Sequence, residues 1–317
     1  MNELSRAIVA SHIIEQQNIG NQALVAEILP DEYIDPCYLY RSAQVGPVVL
    51  SVPHGGWQYP QSLVNAENFE RCSSLADTGT AELGTMLAGG NFPVLISRCC
   101  RAACDLNRPQ QAVDRLLCDG SETPIPVPFK PYVDAGYGVI PRLSADKQPL
   151  YEKMLDKAQW QKMLDMWYTP YHQTLTCLLR LTQAHHGDTF LIDLHSMPDN
   201  STRPSGTKFS SRSKCLPDFV FGNLHGATLK QKTTGRIDKV MAQTGFSWQW
   251  NAPYAGGYIT RHYGLTKKED GDIPPVEVLQ IEVNRRLYTS KQKNKNDGKI
   301  MSVKRVIEKI VTALTDR

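Results

Sequence analysis

Two histidines stand where apolar runs end. "VVLSVPHGGWQYP" (48–60) delivers His54 to a turn flanked by Pro53 and Gly55, and "FLIDLHSMP" (190–198) does the same for His195. In open α/β sheets ligands gather beyond the carboxyl ends of strands, so two imidazoles at such ends can meet despite their separation in sequence. Neutral imidazole is a good zinc ligand, and a three-ligand site leaves a position for water, whose pKa zinc lowers to about 7. Taken alone, either histidine is better explained by a hydrogen bond to its loop; the shared placement favours a metal. Asp77, in "SSLADTGTAELGTML" (73–87), is the expected third ligand at the start of a helix. An N-cap there would explain it equally. Asp193 shares strand parity with His195, as a ligand or as support for one.

Metal-assisted hydrolysis also needs a proton acceptor. Glu282 interrupts the apolar run of "VLQIEVNRRLY" (278–288), where a buried carboxylate requires a metal, a cation or a hydrogen-bond partner. The structural alternative is an ion pair with a nearby arginine such as Arg285. Guanidinium groups match carboxylates in bidentate geometry, and two segments offer them. "DLNRP" (105–109) supplies Asn107 and Arg108; "NAPYAGGYITRHYG" (251–264) supplies Arg261 and His262 among tyrosines that include Tyr258. Solvated surface arginines are the alternative for each.

These residues need strands to carry them. Strand-length apolar runs occur at 47–52, 92–97, 189–194, 218–223 and 277–283. Helical periodicity fills much of the space between. It is clearest in Ile300, Val303, Val306, Ile307, Ile310, Val311 and Leu314, and it predicts a helix over 151–184 with an interruption near Pro170. Strands alternating with helices predict an α/β fold, a mostly parallel sheet covered on both faces. Segments 110–147 and 197–215 read as irregular, as long functional loops do. No repeat or linker divides the chain, so residues 1–317 are expected to form one catalytic domain.

The composition narrows the function. With 35 Lys and Arg against 32 Asp and Glu, the formal charge of +3 gives no field suited to nucleic acid. Glu3 and Glu15 interrupt the N-terminal apolar pattern, which argues against a signal peptide or membrane span and predicts a soluble, cytoplasmic protein. The eight cysteines include no CxxC pair and are expected to be reduced. Cys99, Cys100 and Cys104 read as small, half-buried packing residues, since their spacing fits no common thiolate metal site.

The motifs "SVPHGG", "DLNRP", "GVIPR", "PYH", "DLHSMP", "NAPYAGGYITRHYG" and "LQIEVNRRLY" follow one another in the order found in the N-formylglutamate amidohydrolase (deformylase) family, which the chain resembles from about residue 48 to about residue 288. The resemblance implies a zinc-dependent hydrolase related in fold to the carboxypeptidase and aspartoacylase group, with a mixed sheet between helices. It implies cleavage of N-formyl-L-glutamate to formate and L-glutamate, the last step of one histidine-degradation route. By position, His54 and His195 are similar to the zinc ligands and Glu282 to the catalytic acid/base. Asn107 and Arg108 are similar to the pair with which aspartoacylase-like enzymes hold substrate, and Arg261 and Arg142 are suited to the substrate carboxylates. The implied mechanism has Glu282 shuttle a proton from water to the leaving nitrogen while zinc and Arg108 oppose the developing negative charge. Trp57 stands where the wider group's HxxE motif has its glutamate, which favours Asp77 as the remaining ligand. One zinc per chain is implied, another divalent metal being the alternative, and the partner is a small acidic N-acyl amino acid. Competing readings are a zinc amidohydrolase or carboxypeptidase acting on another N-acyl amino acid or small peptide, and an inactive relative that binds an acidic small molecule. The presence of His54, His195 and Glu282 together argues against the inactive relative.

Overall fold

In the computed structural model, which describes residues 12–15, 27–29, 37–41, 46–61, 63, 68–199, 216–265, 276–288 and 296–315, every expected apolar run becomes a strand. The strands are β1 (His12–Glu15), β2 (Glu27–Leu29), β3 (Cys37–Arg41), β4 (Val48–Val52), β5 (Gln58–Pro60), β6 (Val94–Ser97), β7 (Phe190–Met197), β8 (Phe219–Gly222), β9 (Trp248–Trp250) and β10 (Glu277–Asn284). An eight-stranded sheet has the order β1-β3-β6-β4-β7-β10-β8-β9, while β2 and β5 pair separately. It is antiparallel at β3/β6 and β10/β8 and parallel at the other junctions, the expected mixed, mostly parallel α/β sheet.

The helices are α1 (Phe69–Ser73), α2 (Thr80–Leu87), α3 (Lys130–Asp134), α4 (Lys157–Met163), α5 (Thr169–His186), α6 (Gln231–Met241), α7 (Tyr258–Gly264) and α8 (Asn296–Thr315). Alternation on the strands explains the two layers of core. Val48, Leu50, Val52, Ile192, Leu194, Leu279 and Ile281 pack with Leu83 and Leu87 of α2, Ile237 of α6 and the periodic residues of α8. Val49, Leu95, Leu191 and Val278 face the other way, against Tyr171, Leu175 and Leu179 of α5.

Three expectations are corrected and one is sharpened. The helix over 151–184 starts at Lys157, because Asp156 and Gln159 form a capping box that fixes its first turn. The interruption expected near Pro170 takes the form of a wide π-helical turn at Leu164–Tyr168, after which α5 begins with Pro170 in its first turn. β7 continues to Met197, since its ladder with β10 runs through Met197 opposite Asn284. The remainder of the 197–215 segment from residue 200 lies outside the described residues. Cys99, Cys100 and Cys104 are at most 1% exposed rather than half-buried. The backbone bonds Gln58 N to Arg98 O and Cys100 N to Gln58 O draw that segment inward, and a Cβ on Gly56 would sit 1.8 Å from Cys99 O. Segment 110–147 is irregular as expected, apart from α3 and a 3-10 turn at Val127–Phe129.

Candidate active site

The sheet face under α5 changes character along its central strands. On β4 Val49 is followed by Ser51, on β7 Leu191 by Asp193 and His195, and on β10 Val278 by Gln280 and Glu282, all buried. The ladder sets Glu282 opposite His195, Gln280 opposite Asp193 and Ser51 opposite Asp193. A buried polar strip therefore ends at the carboxyl edge of the parallel strands, where β4 hands the chain to Pro53 and His54.

His54, Asp77 and His195 converge there. One donor atom from each lies within 4.8 Å of the others, and among the described residues no other set of His, Cys, Asp and Glu side chains forms such a group. Asp77 Oδ2 stands 2.9 Å from His195 Nδ1 and 3.5 Å from His54 Nδ1. Asp77 is not the N-cap of α2: Gly79, at φ 85°, occupies that position. The backbone of Asp77 instead donates to His54 O, and its side chain turns inward to the histidines. Trp57, in place of a ligand, stacks on Tyr38 in the core.

A carboxylate stands behind each imidazole, and Asp105 is hydrogen-bonded to its histidine. Asp105 Oδ1 accepts from His54 Nε2 at 2.7 Å, which leaves the Nδ1 lone pair facing the cluster. That Nδ1 is buried without a hydrogen-bond partner among the described residues. Asp193 Oδ2 lies 3.1 Å from His195 Nε2. Burial opposes ionisation of Asp105, but Arg101 and Arg108, with His54, hold its carboxyl well below the usual range. Burial likewise opposes ionisation of Asp77, and His195 and His54 hold it low. For His195 burial disfavours the cation, yet Asp193 and Asp77 raise its pKa well above the ordinary imidazole value. Two nitrogens and one carboxylate oxygen, with the far side of His54 bonded to Asp105, form a donor set suited to zinc.

Glu282 is 7% exposed and accepts a hydrogen bond from Gln280 Nε2 at 2.9 Å. Burial pushes its carboxyl up to about 8; Asp77 and Asp193 add to the rise, whereas His195 and Arg101 oppose it. The expected alternative of a pair with Arg285 does not form. Arg285 instead donates to Ser196 Oγ, Ala76 O and, at 3.4 Å, Asp77 Oδ1.

Asn107 joins the cluster. Its Oδ1 accepts from Ile259 N at 2.7 Å, which sets Nδ2 3.2 Å from His195 Nε2. A side chain at residue 257 would destroy this, since a Cβ there falls 2.2 Å from Asn107 Nδ2. Arg108 is buried behind it, donating Nε to Tyr137 O and Nη1 to Asn107 O with its guanidinium on the Tyr132 ring. Tyr258 and Arg261 lie on α7, which Asn107 caps; Tyr258 stacks on His262, with Phe129 and His172 against its ring. Arg142 is not brought to the cluster by any contact: its Nε pairs with Asp114 at 2.8 Å. Two residues that sequence reasoning passed over belong to the site. Asp105 holds His54, and Arg101 pairs with Asp105 at 3.0 Å and reaches Asp77 Oδ1 at 3.6 Å. The i, i+4 spacing of Arg101 and Asp105 was the one signal available for them.

The sequence model of the N-formylglutamate amidohydrolase family matches residues 46–289. The N-formylglutamate deformylase of Pseudomonas aeruginosa is 28% identical over 259 residues, 78% of this chain and 83% of that one. The Pseudomonas putida N-formylglutamate deformylase is 27% identical over 247 residues, 76% and 81% respectively. Among solved structures, the N-formylglutamate amidohydrolase of Ralstonia eutropha JMP134 superposes with a TM-score of 0.72 at 25% identity, covering 88% of this chain and 98% of that one. A gene product of Agrobacterium tumefaciens shares the fold, with a TM-score of 0.56 at 15% identity over 89% of this chain and 96% of the other.

Proposed function

The chain belongs to the N-formylglutamate amidohydrolase family, and from that premise we propose that it hydrolyses N-formyl-L-glutamate to formate and L-glutamate with one zinc ion held by His54, Asp77 and His195. The observation that carries the reading is the convergence of His54 Nδ1, Asp77 Oδ2 and His195 Nδ1 beside the buried Glu282. The unpartnered, buried His54 Nδ1, with Asp105 bonded behind its ring, fits a divalent cation better than it fits a hydrogen-bonded core. When bound, zinc supplies Lewis-acid polarisation of the formyl carbonyl and lowers the pKa of water at the site.

The chain's own residues do the rest. Glu282 takes a proton from the attacking water as the new C–O bond forms, and returns it to the glutamate nitrogen as the C–N bond breaks. A nearby dication favours the ionised form of Glu282 that this requires, offsetting the burial that otherwise keeps it protonated. Arg108, immobilised by Tyr137 O, Asn107 O and the Tyr132 ring, offers a fixed positive charge to the developing oxyanion, and Arg101 adds to the field. Asn107 and Tyr258 line the approach, and Arg261 takes a substrate carboxylate. The Arg261 side chain makes no hydrogen bond or ion pair among the described residues, whereas Arg142 is engaged with Asp114, so Arg261 is the better supported of the two.

The proposed setting is the cytoplasm, as the last step of a histidine-degradation route; no helix among the described residues is long and apolar enough to cross a membrane. The test is formate release from N-formyl-L-glutamate before and after chelation, beside N-acetyl- and N-succinyl-glutamate and N-formyl-aspartate. Zinc-restorable turnover confined to the formylglutamate supports the proposal. Preferential turnover of another member moves the substrate assignment to that N-acyl amino acid.

A further inference from the structure

The "PYH" motif (170–172) takes no part in this chemistry, yet its Tyr171 and His172 touch both halves of the site. They lie in the first turn of α5, directly after the π-helical turn. The Tyr171 hydroxyl and Ser51 Oγ are 2.9 Å apart, and Ser51 Oγ donates to Asp193 Oδ1 at 3.5 Å. Since a serine hydroxyl has one proton to give, Tyr171 donates to Ser51. Tyr171, Ser51 and Asp193 are fully buried, and the other oxygen of Asp193, which has no hydrogen-bond partner among the described residues, lies against His195 Nε2 at 3.1 Å, the nitrogen that Asn107 Nδ2 meets at 3.2 Å from another side.

His172 serves the opposite side. Its Nε2 donates to Leu106 O at 3.0 Å, and its Nδ1 lies 3.0 Å from the Tyr263 hydroxyl. A carbonyl can only accept, so the proton is on Nε2, and the Tyr263 hydroxyl donates to His172 itself, its one proton facing Nδ1 and, at 3.3 Å, the His172 carbonyl. Burial, helped by His262, pushes this imidazole down to about 3, which keeps it in the neutral form the arrangement needs. Leu106 precedes Asn107, and Tyr263 belongs to α7, the helix that carries Tyr258 and Arg261 and is capped by Asn107. His172 thus ties the Asn107–Arg108 loop to the substrate-side helix.

We propose that Tyr171 and His172 are positioning residues with separate duties: Tyr171 orients the metal ligand His195 through Ser51 and Asp193, and His172 fixes the Asn107–Arg108 loop against α7. The inference rests on the reading of His54, Asp77 and His195 as a zinc site. Partners behind a metal ligand typically change affinity by about 10- to 100-fold when lost, and misplaced substrate groups cost rate without touching the metal.

The experiment is zinc titration of the full chain against a competing chromogenic chelator, paired with kcat and KM for N-formyl-L-glutamate at saturating zinc. Tyr171→Phe is expected to weaken zinc binding about tenfold and leave KM within twofold of wild type. His172→Phe is expected to leave the zinc Kd within twofold and lower kcat/KM roughly tenfold or more. Ser51→Ala breaks the first chain and Tyr263→Phe the second, so each duty has another variant if one fails to fold. Variants of both kinds that shift zinc affinity and kcat/KM together, or shift neither, overturn the division of duties. Wild-type protein that takes up no zinc overturns the site reading and this inference with it; wild-type uptake matched by Tyr171→Phe and Ser51→Ala overturns the inference alone.

Discussion

The two faces of β4, β7 and β10 differ more than any two parts of the sequence suggest. Toward α2, α6 and α8 the strands present Val48, Leu50 and Val52, then Phe190, Ile192 and Leu194, then Leu279, Ile281 and Val283, apolar from end to end. Toward α5 they begin with Val49, Leu191 and Val278 and finish with Ser51, Asp193, His195, Gln280 and Glu282. Burying the second set costs free energy unless every charge is paired. The apolar face therefore holds the register on which the polar face depends, since a slip of one residue would turn His195 and Glu282 into the hydrophobic layer. Stability and chemistry are divided between alternate residues of the same strands.

Changes on one face should consequently be silent on the other. The largest effect is expected from Glu282→Gln on the polar face, with turnover reduced by about 10²- to 10⁴-fold while zinc binding and thermal stability stay near wild type. Near-normal kcat in that variant would remove Glu282 from the mechanism. On the apolar face Ile281→Ala, its immediate neighbour in sequence, should cost about 2–5 kcal/mol in denaturant unfolding. The same variant should retain wild-type zinc affinity per folded molecule; a large loss of affinity would mean the faces are not independent. Asp105→Asn should weaken zinc binding by about 10- to 100-fold, read by chelator competition, because His54 loses its ionised acceptor. Arg261→Ala should raise KM while Arg142→Ala, which breaks only the Asp114 pair, should leave KM near wild type. The reverse ranking would assign the carboxylate to Arg142. The smallest effect is spectroscopic. In metal-free protein the Glu282 carboxyl should titrate near 8, its burial favouring the protonated form. Added zinc should move that midpoint down, as followed by 13C NMR; a midpoint indifferent to zinc would separate Glu282 from the metal.

Much of this division was legible before any coordinates, because long apolar runs bounded by turns announce buried strands and a carboxylate or imidazole within them is conspicuous. Glu282, His195 and His54 are visible for that reason, and Asn107 through its motif. The strands β3 (CYLYR), β5 (QYP) and β9 (WQW) were not, since polar residues or proline break their apolar runs and pairing to neighbours fixes them. Asp105 reads in sequence as one more turn aspartate, and only its distance to His54 gives it a role. Asp77 read equally well as a cap or a ligand. The choice rests on Gly79, which caps α2 with a positive φ and leaves the aspartate free to face the histidines. Arg285, adjacent in sequence to the site strand, stood as the structural alternative for Glu282, but β10 ends at Asn284 and the chain turns it toward Asp77 and Ser196.

The most direct test of the account is a zinc titration of chelated protein with formate release from N-formyl-L-glutamate as the readout. Turnover should fall to background without metal and recover to saturation at one zinc per chain. Full turnover by demonstrably metal-free protein, or saturation with zinc and no formate, would contradict it.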